Sequence, residues 1–193
     1  MNTTIDAALA FTKREEGGYT NDRRDSGNWT SGVVGKGILM GSNMGVGAPC
    51  LVAYNARNRL KLTMTAATMR GLSPTLYKAI ATSEYWHLMS CDLLPIGVDL
   101  MVFDYGWNRG NSNSIHELQE TLGVDSDGDF GPASQAAMAS VNDLASFVQT
   151  LGEVQTEHYQ ALDNFATYGK GWLARTARRQ ATALEAIAAA PIA

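Results

Sequence analysis

The segment "IGVDLMVFDYGWNRG", residues 96–110, constrains this chain more than any other. Its apolar residues fall on nearly every side of a helix, so no face is left for water. Such an element has to lie at the centre of a core with other elements packed around it. The spacing predicts a helix ending near Gly110, with a buried strand as the lesser option. At 193 residues and 45% hydrophobic content, the chain is long enough to surround it without a metal or disulfide staple.

Most of the remaining chain also reads as helix. Ile5, Ala8, Leu9 and Thr12 repeat at helical spacing, and Gly17-Gly18 should stop that helix in the left-handed C-terminal conformation. Glu16 then stands at or near its last residue. Residues 27–47 are glycine-rich, and "GVV" and "GILM" flanking "GKG" at Lys36 predict a small β-hairpin. Residues 48–72 mix loop with short helix. Ser73-Pro74 starts a helix whose buried face carries Leu76, Tyr77, Ile80 and Tyr85. Ser114 and Glu117 have the spacing of a capping box for a helix that stops at Gly123. Gly131-Pro132 opens another, and Leu144 to Leu162 outline a long amphipathic one. "YGKG", residues 168–171, should turn the chain into a last helix from Trp172 to about Ala189. The fold class is α+β, mainly α-helical.

Several functions are disfavoured at once. Fifteen Lys and Arg against nineteen Asp and Glu give a net charge of -4, which argues against nucleic acid as a partner. Cys50 and Cys91 read as free thiols, and His87, His116 and His158 stand alone rather than at metal-ligand spacing, so no metal and no cofactor is expected. "DSDGDFG" at 125–131 suggests calcium, but the required glycine and glutamate positions hold Phe130 and Ala136; it reads as a turn. No apolar run reaches membrane-spanning length, and the first residues lack the pattern of a secretory signal. The last helix carries Lys170, Arg175, Arg178 and Arg179. A solvated basic face on a helix packed against the core is preferred there to a weak contact with an anionic membrane.

The chemistry concentrates in "EGGYTNDRRDSGNWTSG", residues 16–32. An acid that protonates a leaving group near neutral pH must have its charged form disfavoured, which burial or a helix C-terminus does. The predicted helix end puts Glu16 in such a place. Glycoside hydrolysis pairs this acid with a second carboxylate, and Asp22 and Asp25 are both near. Tyr19 and Trp29 offer flat surfaces for sugar rings. On spacing alone a solvated surface loop is the preferred reading, because Asp-Ser-Gly is a common turn.

These residues resemble the opening motif of glycoside hydrolase family 108, a Glu-Gly-Gly-Tyr run followed by an aspartate-glycine-threonine pattern. "YWHLMSCDLLPIGVDLMVFDYGWNRG" is similar to the family's Tyr-Trp, Leu-Pro and Phe-Asp-x-x-x-Asn-x-Gly segment. "LQETLGVDSDGDFGPASQAAM" is similar to its peptidoglycan-domain region. The resemblance spans most of residues 5–140. It implies a lysozyme-like fold, with a muramidase region over 1–92 and a helical peptidoglycan-domain region over 93–193 packed as one globular unit. It also implies cleavage of the β-1,4 bond between N-acetylmuramic acid and N-acetylglucosamine. By the same resemblance Glu16 is the catalytic acid, and Asp25 and Thr30 position water or stabilise charge, as a similar nine-residue spacing does in tailed-phage lysozymes. Tyr19, Asn21, Trp29 and Asn108 would contact substrate, while Asp104 would brace the fold. Asn28-Trp29 departs from the family's usual glycine at this point. The implied role is that of a monomeric phage endolysin, made in the host cytoplasm and reaching the wall through a holin-type lesion. Two other readings stay open on sequence: a wall-binding module without activity, and a peptidase acting on the wall's stem peptides.

Overall fold

The computed structural model describes residues 3–190. In chain order the helices of these residues are α1 (Thr3–Glu15), α2 (Ala48–Asn58), α3 (Ala66–Arg70), α4 (Pro74–Ala81), α5 (Val98–Arg109), α6 (Asn111–Leu122), α7 (Pro132–Ala139), α8 (Leu144–Gln160) and α9 (Phe165–Ala189). Tight 3₁₀ turns lie at Ser26–Asn28 and Cys91–Leu93, and a π turn at Thr82–Trp86. The chain divides into two compact units, Thr12–Thr82 on one side and Met1–Phe11 with Ser83–Ala193 on the other. These packing units do not coincide with the motif-defined regions 1–92 and 93–193.

The larger unit is built around α5, as the sequence requires. Every residue from Val98 to Trp107 is buried, and α6, α8 and α9 pack against it. The helix ends at Arg109, with Gly110 at φ 93° beyond it. Gly106 lets Met89 and Ser114 close onto the helix backbone, where a side chain would collide with both. Phe103 and Trp107 continue the core into Trp86 and Tyr85 through ring contacts of 4.4–5.9 Å.

Asp104 is the one fully buried carboxylate of this helix to meet two cations. Arg175 grips it with two bonds, Nε to Oδ2 at 3.0 Å and Nη2 to Oδ1 at 2.8 Å, and Arg179 adds Nη1 to Oδ2 at 2.9 Å. Arg179 also donates to Gln155 Oε1 at 2.7 Å. The last helix therefore does not show the solvated basic face expected of it. Arg175 and Arg179 turn inward, because Asp104 and Gln155 offer charge and acceptors there, while Arg178 stays exposed. Asp104 braces the fold, as expected.

Three further expectations fail for physical reasons. Ser114 and Glu117 do not cap α6, which starts at Asn111; both are buried inside it. Ser114 donates to Val102 O at 2.7 Å and Glu117 accepts from Tyr105 Oη at 2.6 Å, so the capping signature is a pair of internal ties to α5. "YGKG" does not turn the chain, because it lies inside α9, with Gly169 accommodating the Phe165 ring. The third is the hairpin. Among the described residues 27–47 form no strand, only the isolated antiparallel bridges Trp29–Leu39 and Asn43–Val46, with Ser42 bridging back to Thr20. Gly32, Gly35, Gly37, Gly41 and Gly45 all take positive φ, which breaks extension every few residues. The protein is mainly helical, with irregular loops in place of the hairpin among the described residues.

Glu117 carries a pH dependence. Its Oε2 is buried without a hydrogen-bond partner among the described residues, and burial pushes the acid up to about 7, against the pull of the Tyr105 hydroxyl and His158. His158 reaches it at 3.2 Å and Glu120 at 2.8 Å, so this histidine is not isolated. Between the unfolded value of 4.5 and about 7 the folded state holds the extra proton. The stability this gives is complete below pH 4.5 and is lost as pH rises through 7, a change of up to about 3 kcal/mol. Thermal unfolding of Glu117→Gln should accordingly show a flatter pH dependence between pH 5 and 8 than wild type, and an unchanged slope would contradict the assignment.

Candidate active site

Glu16 is the first residue beyond α1. Its backbone N–H still donates to Thr12 O at 2.9 Å, so the helix sets its position although it no longer belongs to the helix. Thr12 is fully buried, and Glu16 is half-buried. Gly17 and Gly18 follow, but neither takes the left-handed conformation expected of a C-cap. They end the helix through glycine's poor propensity, and the chain runs on to pair Thr20 with Ser42 in both directions at 2.9 Å.

Tyr19 is anchored at both ends of its side chain. Its hydroxyl donates to Met40 O at 3.2 Å, and the Arg70 guanidinium lies 4.4 Å over its ring. Gly41, at φ 85°, passes so close that a Cβ would lie 2.5 Å from Thr20 O and 2.6 Å from the ring. Only glycine fits there, so this loop crossing fixes Tyr19 in place.

Asn28 ties the remainder of the motif together. It is fully buried, its carbonyl accepts the N–H groups of Met40 and Gly41 at 2.9 Å each, and its Nδ2 donates to Asp22 O at 3.0 Å. Residues 19–30 are thus wrapped onto residues 38–42. Trp29 is half-buried, with its indole N–H given to Arg23 O at 3.0 Å. Thr30 closes the next loop: its N–H donates to Ile38 O at 3.0 Å and its Oγ1 accepts from Ile38 N at 2.9 Å. That leaves the Thr30 hydroxyl proton able to donate elsewhere. Gly37, at φ 75°, sits where a Cβ would meet Thr30 Oγ1 at 2.5 Å.

The two nearby aspartates differ sharply. Asp22 is locked to Arg24 by three side-chain bonds of 2.7–3.2 Å and accepts the Arg24 backbone N–H at 2.9 Å. That hydrogen bonding holds its carboxyl down to about 2. Asp25 caps the Ser26–Asn28 turn, with Oδ1 accepting from Gly27 N at 2.8 Å, and has no ion pair among the described residues. Both are exposed, as is Asn21. Asp25 is therefore the carboxylate whose chemistry remains available. Asn108 belongs to the larger unit, exposed at the last turn of α5, where its Oδ1 accepts from Tyr159 Oη at 2.8 Å. Among the described residues, no group of three His, Cys, Asp or Glu side chains is placed to hold a metal ion.

A helix-anchored glutamate and a turn-anchored aspartate on one glycine-rich frame suit acid-assisted cleavage of a glycosidic bond. The model of the family described as glycosyl hydrolase 108 matches residues 9–110, more than half of the chain. The chain belongs to glycosyl hydrolase family 108. As a family 108 protein it is a glycoside hydrolase acting on peptidoglycan, which decides against the wall-binding module without activity and the stem peptidase. The structure of Brucella abortus SagA is similar over 96% of this chain and 97% of that one, at 28% identity and a TM-score of 0.78. No curated protein matches the chain.

Two residues that hold this candidate site together were missed in the sequence. Asn28 looked only like a departure from the family glycine, yet it is the buried centre of the frame. Arg70 had no local signal at all, because the residue it covers lies fifty-one positions earlier.

Proposed function

We propose that this protein is an N-acetylmuramidase, cleaving the β-1,4 bond between N-acetylmuramic acid and N-acetylglucosamine with Glu16 as general acid. The observation that carries this is the position of Glu16: half-buried, one residue past α1, its backbone tied to the buried Thr12. A general acid must present its proton beside the leaving oxygen, and this anchoring fixes the backbone from which the Glu16 side chain extends. Asp25, free of the Arg24 fork that occupies Asp22, stabilises the oxocarbenium-like state or holds the attacking water. Thr30 donates its remaining hydroxyl proton to that water. Asn21 and Trp29 contact the sugars, and Tyr19 supports the site through Met40 and Arg70. The reaction so written draws only on the chain's own side chains, acting as a monomer. We place it in a phage endolysin made in the host cytoplasm and reaching the wall through a holin-type lesion, on the strength of the motif resemblance.

Product analysis tests the reading. Purified peptidoglycan is digested, reduced with borohydride and examined by mass spectrometry. Reduced N-acetylmuramic acid ends are expected. Reduced N-acetylglucosamine ends would move the cleavage to the other glycosidic bond, and new amino termini without new sugar ends would overturn it.

A further inference from the structure

Anchoring Tyr19 leaves the N–H donors of Arg70 without a role in the fold or in bond cleavage. Arg70 ends α3, a five-residue helix held from several sides. Thr65 caps the helix start, Met69 is fully buried, and buried Asn43 donates from Nδ2 to Met69 O at 3.0 Å and Arg70 O at 3.2 Å. The side chain is then laid over Tyr19, whose own ring is fixed by Met40 and Gly41. A guanidinium held over an aromatic ring keeps its N–H donors available to a further partner. Arg70 is exposed, and among the described residues no carboxylate pairs with it. The contrast with Arg24 is direct: that guanidinium spends its fork on Asp22. A cation fixed in advance, with its fork unused, over a tyrosine three residues along the chain from the proposed acid, is suited to bidentate capture of a carboxylate.

We infer that Arg70 recognises a free carboxylate of the peptide stem carried by N-acetylmuramic acid, and so makes the enzyme select glycan strands whose stems keep that carboxylate. This rests on the muramidase reading for the substrate, while its test does not depend on cleavage. Binding is measured with Glu16→Gln protein on soluble peptide-bearing glycan strands, with the stem carboxylates either free or converted to carboxamides. The free-carboxylate strands should bind about tenfold more tightly, the size of one exposed charge-assisted pair. Adding Arg70→Ala should bring the ratio of the two dissociation constants to within twofold of one, and Arg70→Lys should leave an intermediate ratio, since the charge stays and the fork goes. Equal binding of both strands by the Glu16→Gln protein would overturn the inference. So would an Arg70→Ala change that weakens both strands alike, which is what a purely supporting contact with Tyr19 would do. Cleavage by the wild-type enzyme, assayed beside it, judges the muramidase reading separately: no release of sugar ends from either strand defeats that reading, and the binding ratio still decides Arg70.

Discussion

Asp104→Ala should destabilise the protein by about 3–5 kcal/mol, because it leaves the guanidinium groups of Arg175 and Arg179 buried without their counter-ion. In a chain of this length that corresponds to a fall in melting temperature on the order of 10 °C. Two comparisons separate the orphaned charges from simple loss of packing. Asp104→Asn keeps the shape and removes the charge, so it should cost most of what alanine costs. Replacing Asp104, Arg175 and Arg179 together with apolar residues of similar size should recover a large part of the loss, because no unpaired charge then remains inside. Thermal melts followed by circular dichroism read all three. A melting temperature unchanged in Asp104→Ala would mean that the network contributes nothing to the fold.

The fold was legible where local chemistry and tertiary packing agree. α5 could be placed from its all-round apolarity, and α4 from Ser73-Pro74, whose serine does accept the Leu76 N–H at 3.1 Å. It was illegible where a short-range signal served a long-range contact. The Ser114–Glu117 spacing is that of a cap, but both side chains are consumed by α5. The glycines of "YGKG" suggest a turn, but the packing of Phe165 on Gly169 keeps them helical. The arginines of α9 look like a surface stripe until Asp104, seventy-one residues before Arg175, is placed beside them.

The candidate site was legible as a motif and illegible as a frame. Glu16, Asp25 and Thr30 could be named from spacing and resemblance, while the choice between Asp22 and Asp25 could not. That choice turns on Arg24, which folds back two residues to claim Asp22. No periodicity announces such a contact. The hairpin failed for a related reason: alternating apolar runs predict strands only when the backbone stays extended, and the glycines at positive φ prevent it.

Glu16→Gln should be nearly inactive while remaining folded. Glutamine keeps the size of the side chain but has no proton to give to the leaving oxygen. The loss of general-acid assistance is worth about 10²–10⁴-fold in rate. The measurement that tests this account most directly is the rate of reducing-end release from purified peptidoglycan by wild type, Glu16→Gln, Asp25→Asn and Asp22→Asn, each first matched for fold by circular dichroism. A loss of at least a hundredfold is expected for Glu16→Gln, a smaller but clear loss for Asp25→Asn, and a rate near wild type for Asp22→Asn, whose carboxylate is already spent on Arg24. A Glu16→Gln rate within tenfold of wild type would contradict that expectation, and the catalytic acid would have to be sought elsewhere in the chain.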